Sequence, residues 1–487
     1  VLVTLAFRHL LIRKLRALAL LAGFALGVGV MIVLLSVGEA MLEQSRDVSL
    51  VGGGEVTVLP QGIDVEAMRT GGVSGMYFGI DRARFLTRQA LGGPRHAPFV
   101  SAVAPAVEGK LLYARRGGRA VPVRAGGEVP SRAAAVGAAI AVVAGSWTDS
   151  PADSAYVAPS RQQLYDELDH FHLPRTADSS WAEWHYFNVV VSSEEWWYVT
   201  YLVRGAVERG DWGGQLLLTH RRPDGRYQRW TRNVPSPRIT LDTARADLAL
   251  GSNTVEQRDG VYSLRAVAGD ARLDLTVTPL PNRYFPSIEL AGVWFVSGYV
   301  VPGLVASASG TLCVAARCVR IDGAPAYHDH NWGIWRDVTW EWGAARGRNI
   351  ALLYGGVRTG PPAAAAAPFF LAIVDSLGVR QVLRFREVRY IGGGPLAEAP
   401  DVRAPSRLEL LASRDADSVR LRVIVADAHA TRMNAAGVRR FFLQMRGSFE
   451  LEGRVGGAAV ADSGTGFFET YLTPSGASRP ARSPRPM

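Results

Sequence analysis

ARLDLTVTP, residues 271–279, is written in period two: Leu273, Leu275 and Val277 alternate with Arg272, Asp274 and Thr276. Successive side chains of a strand point to opposite faces, so this stretch has one apolar and one polar side, the pattern of an antiparallel sheet with one face on a core. The pattern recurs at Val419, Leu421, Val423 and Val425 against Arg420 and Arg422, and at Phe449 and Leu451 against Glu450 and Glu452. Turn signals separate such runs: Pro223-Asp224-Gly225, Arg258-Asp259-Gly260, Gly269-Asp270 and Asp322-Gly323. No stretch of helical period intervenes down to about residue 475, which excludes βαβ units and leaves a sandwich or barrel. The length, roughly 300 residues, exceeds one up-and-down barrel, so two are expected. The fold class read from the chain is therefore all-β, in tandem barrels.

Upstream the character changes. Residues 17–37, ALALLAGFALGVGVMIVLLSV, hold 21 residues without a charge, enough to cross about 30 Å of hydrocarbon as a helix. Arg8, His9, Arg13, Lys14 and Arg16 precede them and Glu39 and Glu43 follow. Basic flanks stay in the cytoplasm, so the expectation is a single-pass anchor in the inner membrane with the bulk of the chain extracytoplasmic. A cleaved signal peptide fits less well, because the apolar run is long and SVGEA is a poor cleavage site. Ser160 to His170 reads as a short helix with Ser160 as N-cap, ended by Pro174. Pro361 to Pro368 reads as a loop insertion, and the tail SGASRPARSPRPM as disordered.

Composition narrows the partners. The formal charge is +10 over 487 residues, yet Lys14 and Lys110 are the only lysines and the arginines are scattered singly. Nucleic-acid binding needs a clustered basic face, so it is not expected. Mean hydropathy of +0.06 accommodates one membrane segment rather than several. No G-x-x-x-x-G-K-[ST] loop and no G-x-S-x-G is present. Cys313 and Cys318 flank a hairpin tip; outside the cytoplasm they would form a cross-strand disulfide, otherwise two buried thiols.

Two resemblances organise the chain. The segment AFRHLLIRKLRALALLAGFALGVGVMIVLLSVGEAM, with GGGEVTVLPQGID, SAVAPAVEGKLLY, GGEVPSR and GSWTDSPADSAYVAP after it, resembles the first transmembrane helix and periplasmic core of FtsX/MacB-type ABC permeases. It covers residues 1 to about 158, and no second apolar run of that length follows. WAEWHYFN (181–188), YHDHNWG (327–333), WEWG (340–343) and FFLQMRGSFELEGRVGG…GTGFFETY (441–471) resemble the lipocalin-like AttH family and hydroxyneurosporene synthase, a carotenoid hydratase. This second resemblance implies tandem lipocalin-like barrels, at 159–336 and 337–475; the first resemblance puts before them an anchor (1–45) and a small mixed α/β periplasmic segment (46–158), and a tail follows at 476–487. The family's EWWYF stands here as Glu183-Trp184-His185-Tyr186-Phe187, histidine replacing the second tryptophan.

Eleven of the 12 tryptophans fall between Trp181 and Trp342, and the pair Trp340/Trp342 shares one strand face, as in an aromatic-lined pocket or a plain core. In an extended strand Tyr327, Asp329 and Asn331 share one face and His328, His330 and Trp332 the other. A carboxyl among aromatic rings is desolvated and keeps its proton, which is what protonation of a C=C bond needs. The resemblance to the hydratase places the acid at Asp329 with Tyr327 as its partner, and Tyr299 where the hydratase has a pocket aromatic. Expected ligand-lining residues are Glu183, Trp184, Tyr186, Tyr299, His330, Asn331, Trp332, Trp340 and Trp342. Asp329, His330 and Asn331 would equally serve as a buried network holding the strands. His328/His330 and His170/His172 sit at i, i+2 spacing, but without a third histidine in either motif no metal and no other cofactor is expected. Three readings remain open: acid-catalysed hydration or isomerisation of an isoprenoid or lipid-like molecule, non-catalytic carriage of such a molecule to an ABC exporter, and a purely structural envelope protein whose barrels are filled with side chains.

Overall fold

In the computed structural model the described residues are 80–116, 119–136, 161–173, 178–291, 296–335, 338–359, 369–396, 399–435 and 438–472, with scattered positions between 18 and 58. Residues 22–33 are helical with exposed apolar side chains such as Phe24 and Leu26. Among the described residues no helix is long and apolar enough to cross a membrane. Residues 18, 19, 35 and 36 are helical as well, while the other positions of the 17–37 stretch, its charged flanks, most of 46–79, residues 145–159, Ser160, Pro174, the 361–368 insertion and the tail lie outside the described residues.

The chain divides into two compact units. The first contains most of α1 (Ile80–Gly92), the antiparallel hairpin β1 (Ala106–Arg116) and β2 (Arg119–Glu128), and α2 (Pro130–Ala135). Pro130 opens α2, where its missing N–H costs nothing, and Val129 packs on Ala83 and Leu91.

The second unit takes residues 92–99 and everything from 158 onward. After α3 (Arg161–Leu168) come β3 (Trp181–Val190), β4 (Trp196–Ala206), β5 (Asp211–Arg221), β6 (Tyr227–Pro235), β7 (Ile239–Leu241) and β8 (Leu248–Leu250). Then follow β9 (Asn253–Arg258), β10 (Val261–Ala268), β11 (Ala271–Pro279), β12 (Phe285–Ala291), β13 (Val296–Val314) and β14 (Arg317–Ile334). These twelve strands form one sheet of order β6-β5-β4-β3-β14-β13-β11-β10-β9-β8-β7, with β12 beside β13. Neighbours in sequence are neighbours in space, and the last strand returns to pair with the first. Side chains tie β6 back across the sheet to β10: Trp230 Nε1 donates to Asp270 Oδ1, in the β10–β11 turn, at 2.6 Å and Arg232 Nη1 to the Val267 carbonyl of β10 at 3.4 Å.

A second sheet repeats the design with β15 (Val338–Gly347), β16 (Ala351–Thr359), β17 (Phe369–Asp375) and β18 (Gly378–Phe385). After β19 (Arg389–Ile391), β20 (Gly394–Leu396) and β21 (Ala399–Ala404) it continues through β22 (Arg407–Arg414), β23 (Asp417–Ala435), β24 (Val438–Val455) and β25 (Ala458–Leu472). β15 pairs with β25, and an Arg384–Ser413 pairing of β18 with β22 closes the ring at eight strands. Closure removes the unpaired edges that an open sheet would present.

Period two explains where the cores lie. Leu273, Leu275 and Val277 are at most 2% exposed while Arg272, Asp274 and Thr276 face water. On β4, Trp197, Val199, Tyr201 and Val203 fill the first barrel, whereas Trp196 and Tyr198 point out of it. The second barrel is filled by residues such as Tyr354, Leu371, Leu421, Phe449 and Phe468. A third apolar cluster, including Tyr186, Trp196, Tyr198, Tyr299, Trp342 and Phe370, joins the two barrels. The turn at Asp259-Gly260 takes positive φ at both positions (49° and 78°), which matches the twist of a two-residue hairpin. A Cβ on Gly260 would stand 2.3 Å from the Tyr165 ring, so only glycine fits there. Cys313 and Cys318 are register partners at the tip of the β13–β14 hairpin and form the expected disulfide.

Candidate functional site

β14 carries two different sites on its two faces, as its alternation requires. Toward the second barrel point Tyr327, Asp329 and Asn331. Tyr327 donates its hydroxyl to Asp329 Oδ2 at 2.6 Å and Asn331 donates Nδ2 to Oδ1 at 2.6 Å. Trp342, from β15 of the other barrel, donates Nε1 to the Tyr327 oxygen at 2.9 Å. Asp329 is 3% exposed. Burial, reinforced by the nearby Glu469 carboxylate and only partly offset by the Tyr327 and Asn331 hydrogen bonds, pushes its carboxyl up to about 8. The acid therefore holds its proton at neutral pH.

Around this acid the sequence-predicted aromatics do assemble. Tyr299 meets Trp342 edge-to-face at 5.0 Å and stacks on Phe370 at 5.7 Å. Tyr186 is the register partner of Asp329, and its hydroxyl accepts from Gln444 Nε2 at 2.9 Å. Toward the outside, half-buried Trp184, Trp335, Trp340, Phe442 and Tyr471 form one aromatic cluster, with Trp340–Tyr471 centroids 4.7 Å apart. At its floor lies Glu469, which accepts from Trp340 Nε1 at 3.4 Å and Gln444 at 3.3 Å. Burial raises the Glu469 carboxyl too, against the hydrogen bonds from Tyr186 and Gln444. Two carboxyls from opposite barrels thus share one desolvated face.

Glu183, His330 and Trp332, grouped with these residues in the sequence reading, turn the other way, into the first barrel. The reason is the same alternation: each lies one residue out of phase with the residues that line the inter-barrel face. There His330 Nδ1 meets Asp169 Oδ1 at 2.5 Å and its Nε2 meets Glu183 Oε1 at 3.0 Å. Tyr262 donates to Asp169 Oδ2. Glu183 Oε1 also accepts the His172 backbone N–H at 2.7 Å, and the His172 ring stacks on Trp332 at 3.6 Å. Burial opposes the charge on His330, but Asp169 and Glu183 outweigh it and raise the imidazole to about 9. Burial likewise opposes the Asp169 anion, and the charge of His330 beside it holds it well below the usual carboxylate range. His185 sits in register with His330, ring centroids 4.1 Å apart, and burial drives its own proton affinity well down.

Asp169, His185 and Tyr262 on one face, and Glu469 and Gln444 on the other, are members that sequence reasoning missed. Glu469 stands in the quoted FFETY string, an acid among apolar residues on the buried phase of a strand, and that phase was the available signal. A polar depression on the second barrel, lined by Arg348, Asn349, Arg420, Arg422 and Glu450, shares no residue with either cluster.

No family model matches the chain, and no curated protein matches it. Among solved structures, it is similar to CghA in complex with Sch210972, at 13% identity over 62% of this chain and 90% of that one, TM-score 0.45. A candidate AttH of Nitrosomonas europaea shows 15% identity over 60% of this chain and 92% of that one, TM-score 0.44. Kievitone hydratase of Nectria haematococca shows 14% identity over 63% and 94% respectively, TM-score 0.40.

Proposed function

We propose that the face between the two barrels takes a hydrophobic, isoprenoid or lipid-like molecule and that Asp329 protonates a C=C bond in it. The observation that supports this is a single one: a carboxyl buried among Tyr186, Tyr299, Tyr327 and Trp342 that keeps its proton near neutral pH. Trp342 directs the Tyr327 proton onto Asp329 Oδ2, which leaves the acid's own proton on Oδ1. The Asn331 amide meets a protonated Oδ1 with its carbonyl once it is turned about its C–C bond. Transfer of that proton to an alkene carbon leaves a carbocation beside aromatic faces, whose quadrupoles stabilise it. Water then adds to the cation and returns a proton to the Asp329 carboxylate, giving a tertiary alcohol; loss of a neighbouring C–H proton instead gives an isomerised alkene.

The anchor read at residues 17–37 and the extracytoplasmic placement belong to the same proposal. The Cys313–Cys318 disulfide supports an oxidising compartment. A second reading, a non-catalytic carrier serving an ABC exporter, is favoured by one feature: both Asp329 oxygens are already engaged by Tyr327 and Asn331, as in a network that holds the barrels together.

The test is native mass spectrometry and lipid extraction on the full chain beside Asp329→Asn, run in D2O. Deuterium fixed at carbon in the extracted molecule by the wild type alone establishes the acid. The same molecule bound unlabelled by both establishes the carrier. Absence of any bound molecule in either protein overturns both readings.

A further inference from the structure

The polar cluster on the other face of β14 is built for something that the proposed chemistry at Asp329 does not use. Ligand-capable atoms of Asp169, His185 and His330 all lie within 4.8 Å of one another, and the three residues are at most 1% exposed. The two ring nitrogens of His185 have different fates. Nε2 lies 2.9 Å from the Ala246 carbonyl, to which its N–H donates. Nδ1 is then a bare lone pair, fully buried and without a hydrogen-bond partner. His328 repeats the arrangement: Nδ1 donates to the Tyr186 carbonyl at 3.1 Å, and Nε2 is left unbonded, 3.6 Å from Asp169 Oδ2. Buried acceptor atoms without a donor are rare, and two of them beside one carboxylate call for an electrophile.

We propose that Asp169, His185 and His330 bind a divalent transition-metal ion of the zinc class inside the first barrel, with His328 Nε2, 3.6 Å from Asp169 Oδ2, as a further nitrogen donor. Imidazole and carboxylate donors suit such an ion, and four ligands at about 2.0–2.1 Å complete its preferred shell. The outer contacts are those a metal site needs. A backbone carbonyl on the far N–H of a histidine fixes its tautomer, as Ala246 does for His185 and Tyr186 for His328. Glu183 on His330 Nε2 makes a carboxylate–histidine pair with Nδ1 turned inward, and Tyr262 holds the other oxygen of Asp169. A proton sits between His330 Nδ1 and Asp169 Oδ1 at 2.5 Å, and metal binding there would displace it. The register explains how the site forms: His185 on β3 is directly opposite His330 on β14, and the residue just past the end of α3 caps them. His185 is also the position at which this chain departs from the family it resembles.

The experiment uses the full chain without a polyhistidine tag, stripped with chelator, reloaded separately with Zn2+ and Co2+, and desalted. Elemental analysis is expected to find one ion per chain. The Co2+ form is expected to show visible ligand-field bands of four-coordinate intensity. Loss of an outer partner alone weakens metal sites about 10–100-fold, so His185→Gln should cost more than about 100-fold in Zn2+ affinity. His170→Gln should retain the ion, since His170 stacks on His172 and bonds the Asp166 carbonyl outside the cluster. Where His185→Gln does not fold, 15N imidazole resonances of the wild type decide: Zn2+ should shift Nδ1 of His185 and His330. Folded wild type that retains no ion, or an ion held equally by His185→Gln, overturns the site. Either result leaves the Asp329 reading to its own test.

Discussion

At the scale of the residue, Asp329 carries the sharpest prediction. Its carboxyl stands at about 8 in the folded chain against the ordinary 3.8. Between those values the folded protein holds a proton that the unfolded chain has released, so stability falls as pH rises, by about 1.4 kcal/mol per unit. An asparagine side chain does not titrate, so Asp329→Asn should gain on the wild type steadily from pH 4 to pH 8 and then level off. Urea denaturation at a series of pH values, with chelator present throughout, measures the difference, and a flat difference would show that Asp329 is ionised in the fold. The grouping of Tyr327, Asp329 and Asn331 was legible because i, i+2 residues of a strand must share a face. Asp169 was not, because it meets His330 across 161 positions of sequence. Only the closed barrel brings a carboxylate from the end of α3 to β14. Glu469 was hidden for the same reason, arriving from the last strand of the other barrel.

The element that presents both sites is the β13–β14 hairpin, 19 and 18 residues long. Its tip is closed by Cys313–Cys318, a loop so short that cross-linking removes little unfolded-state entropy. Replacing both cysteines by serine should cost about 2 kcal/mol or less in denaturant stability; a larger loss would mean that the bridge also shapes the native hairpin. At the base of the same hairpin Gly298 faces Trp332, and a Cβ there would lie 2.1 Å from the indole. Gly298→Ala must push Trp332 against His172, and about 1–3 kcal/mol of destabilisation is expected from such overpacking. Circular dichroism melts with an indole fluorescence readout would register both the loss and the moved tryptophan. Strands like these were written plainly in the alternation of the chain. Which strands close the barrels was not, since β3–β14 and β15–β25 pairing depends on sheet curvature and not on local pattern.

At the scale of the molecule, the two barrels of the second unit are joined by more than the Asp329 face. Arg221 and Tyr227 of the first barrel both donate to Asp427 of the second, the guanidinium at 3.1–3.2 Å. Trp196 lies under two guanidiniums, Arg221 at 4.8 Å and Arg446 at 4.5 Å. Farther along, Arg283 donates to the Val374 and Asn349 carbonyls. Asp427 is 18% exposed at its side chain, so this pair is better shielded than the surface pair Arg420–Glu452 at 52% and 59%. Deleting Glu452 as Glu452→Ala should change stability by less than about 0.5 kcal/mol. Asp427→Ala leaves a guanidinium and a phenol without their acceptor, and about 1–2 kcal/mol is expected after discounting for partial exposure. The loss falls on the junction, not on either core, so calorimetry should show the barrels melting closer to independence, as a broadened or split transition. A single unbroken transition in Asp427→Ala would place the coupling in the apolar cluster of Tyr186, Trp196, Tyr198 and Trp342. Those aromatics would then hold the barrels together and wall the proposed ligand site at once. Ligand entry would have to part them, and binding should lower the cooperativity of unfolding.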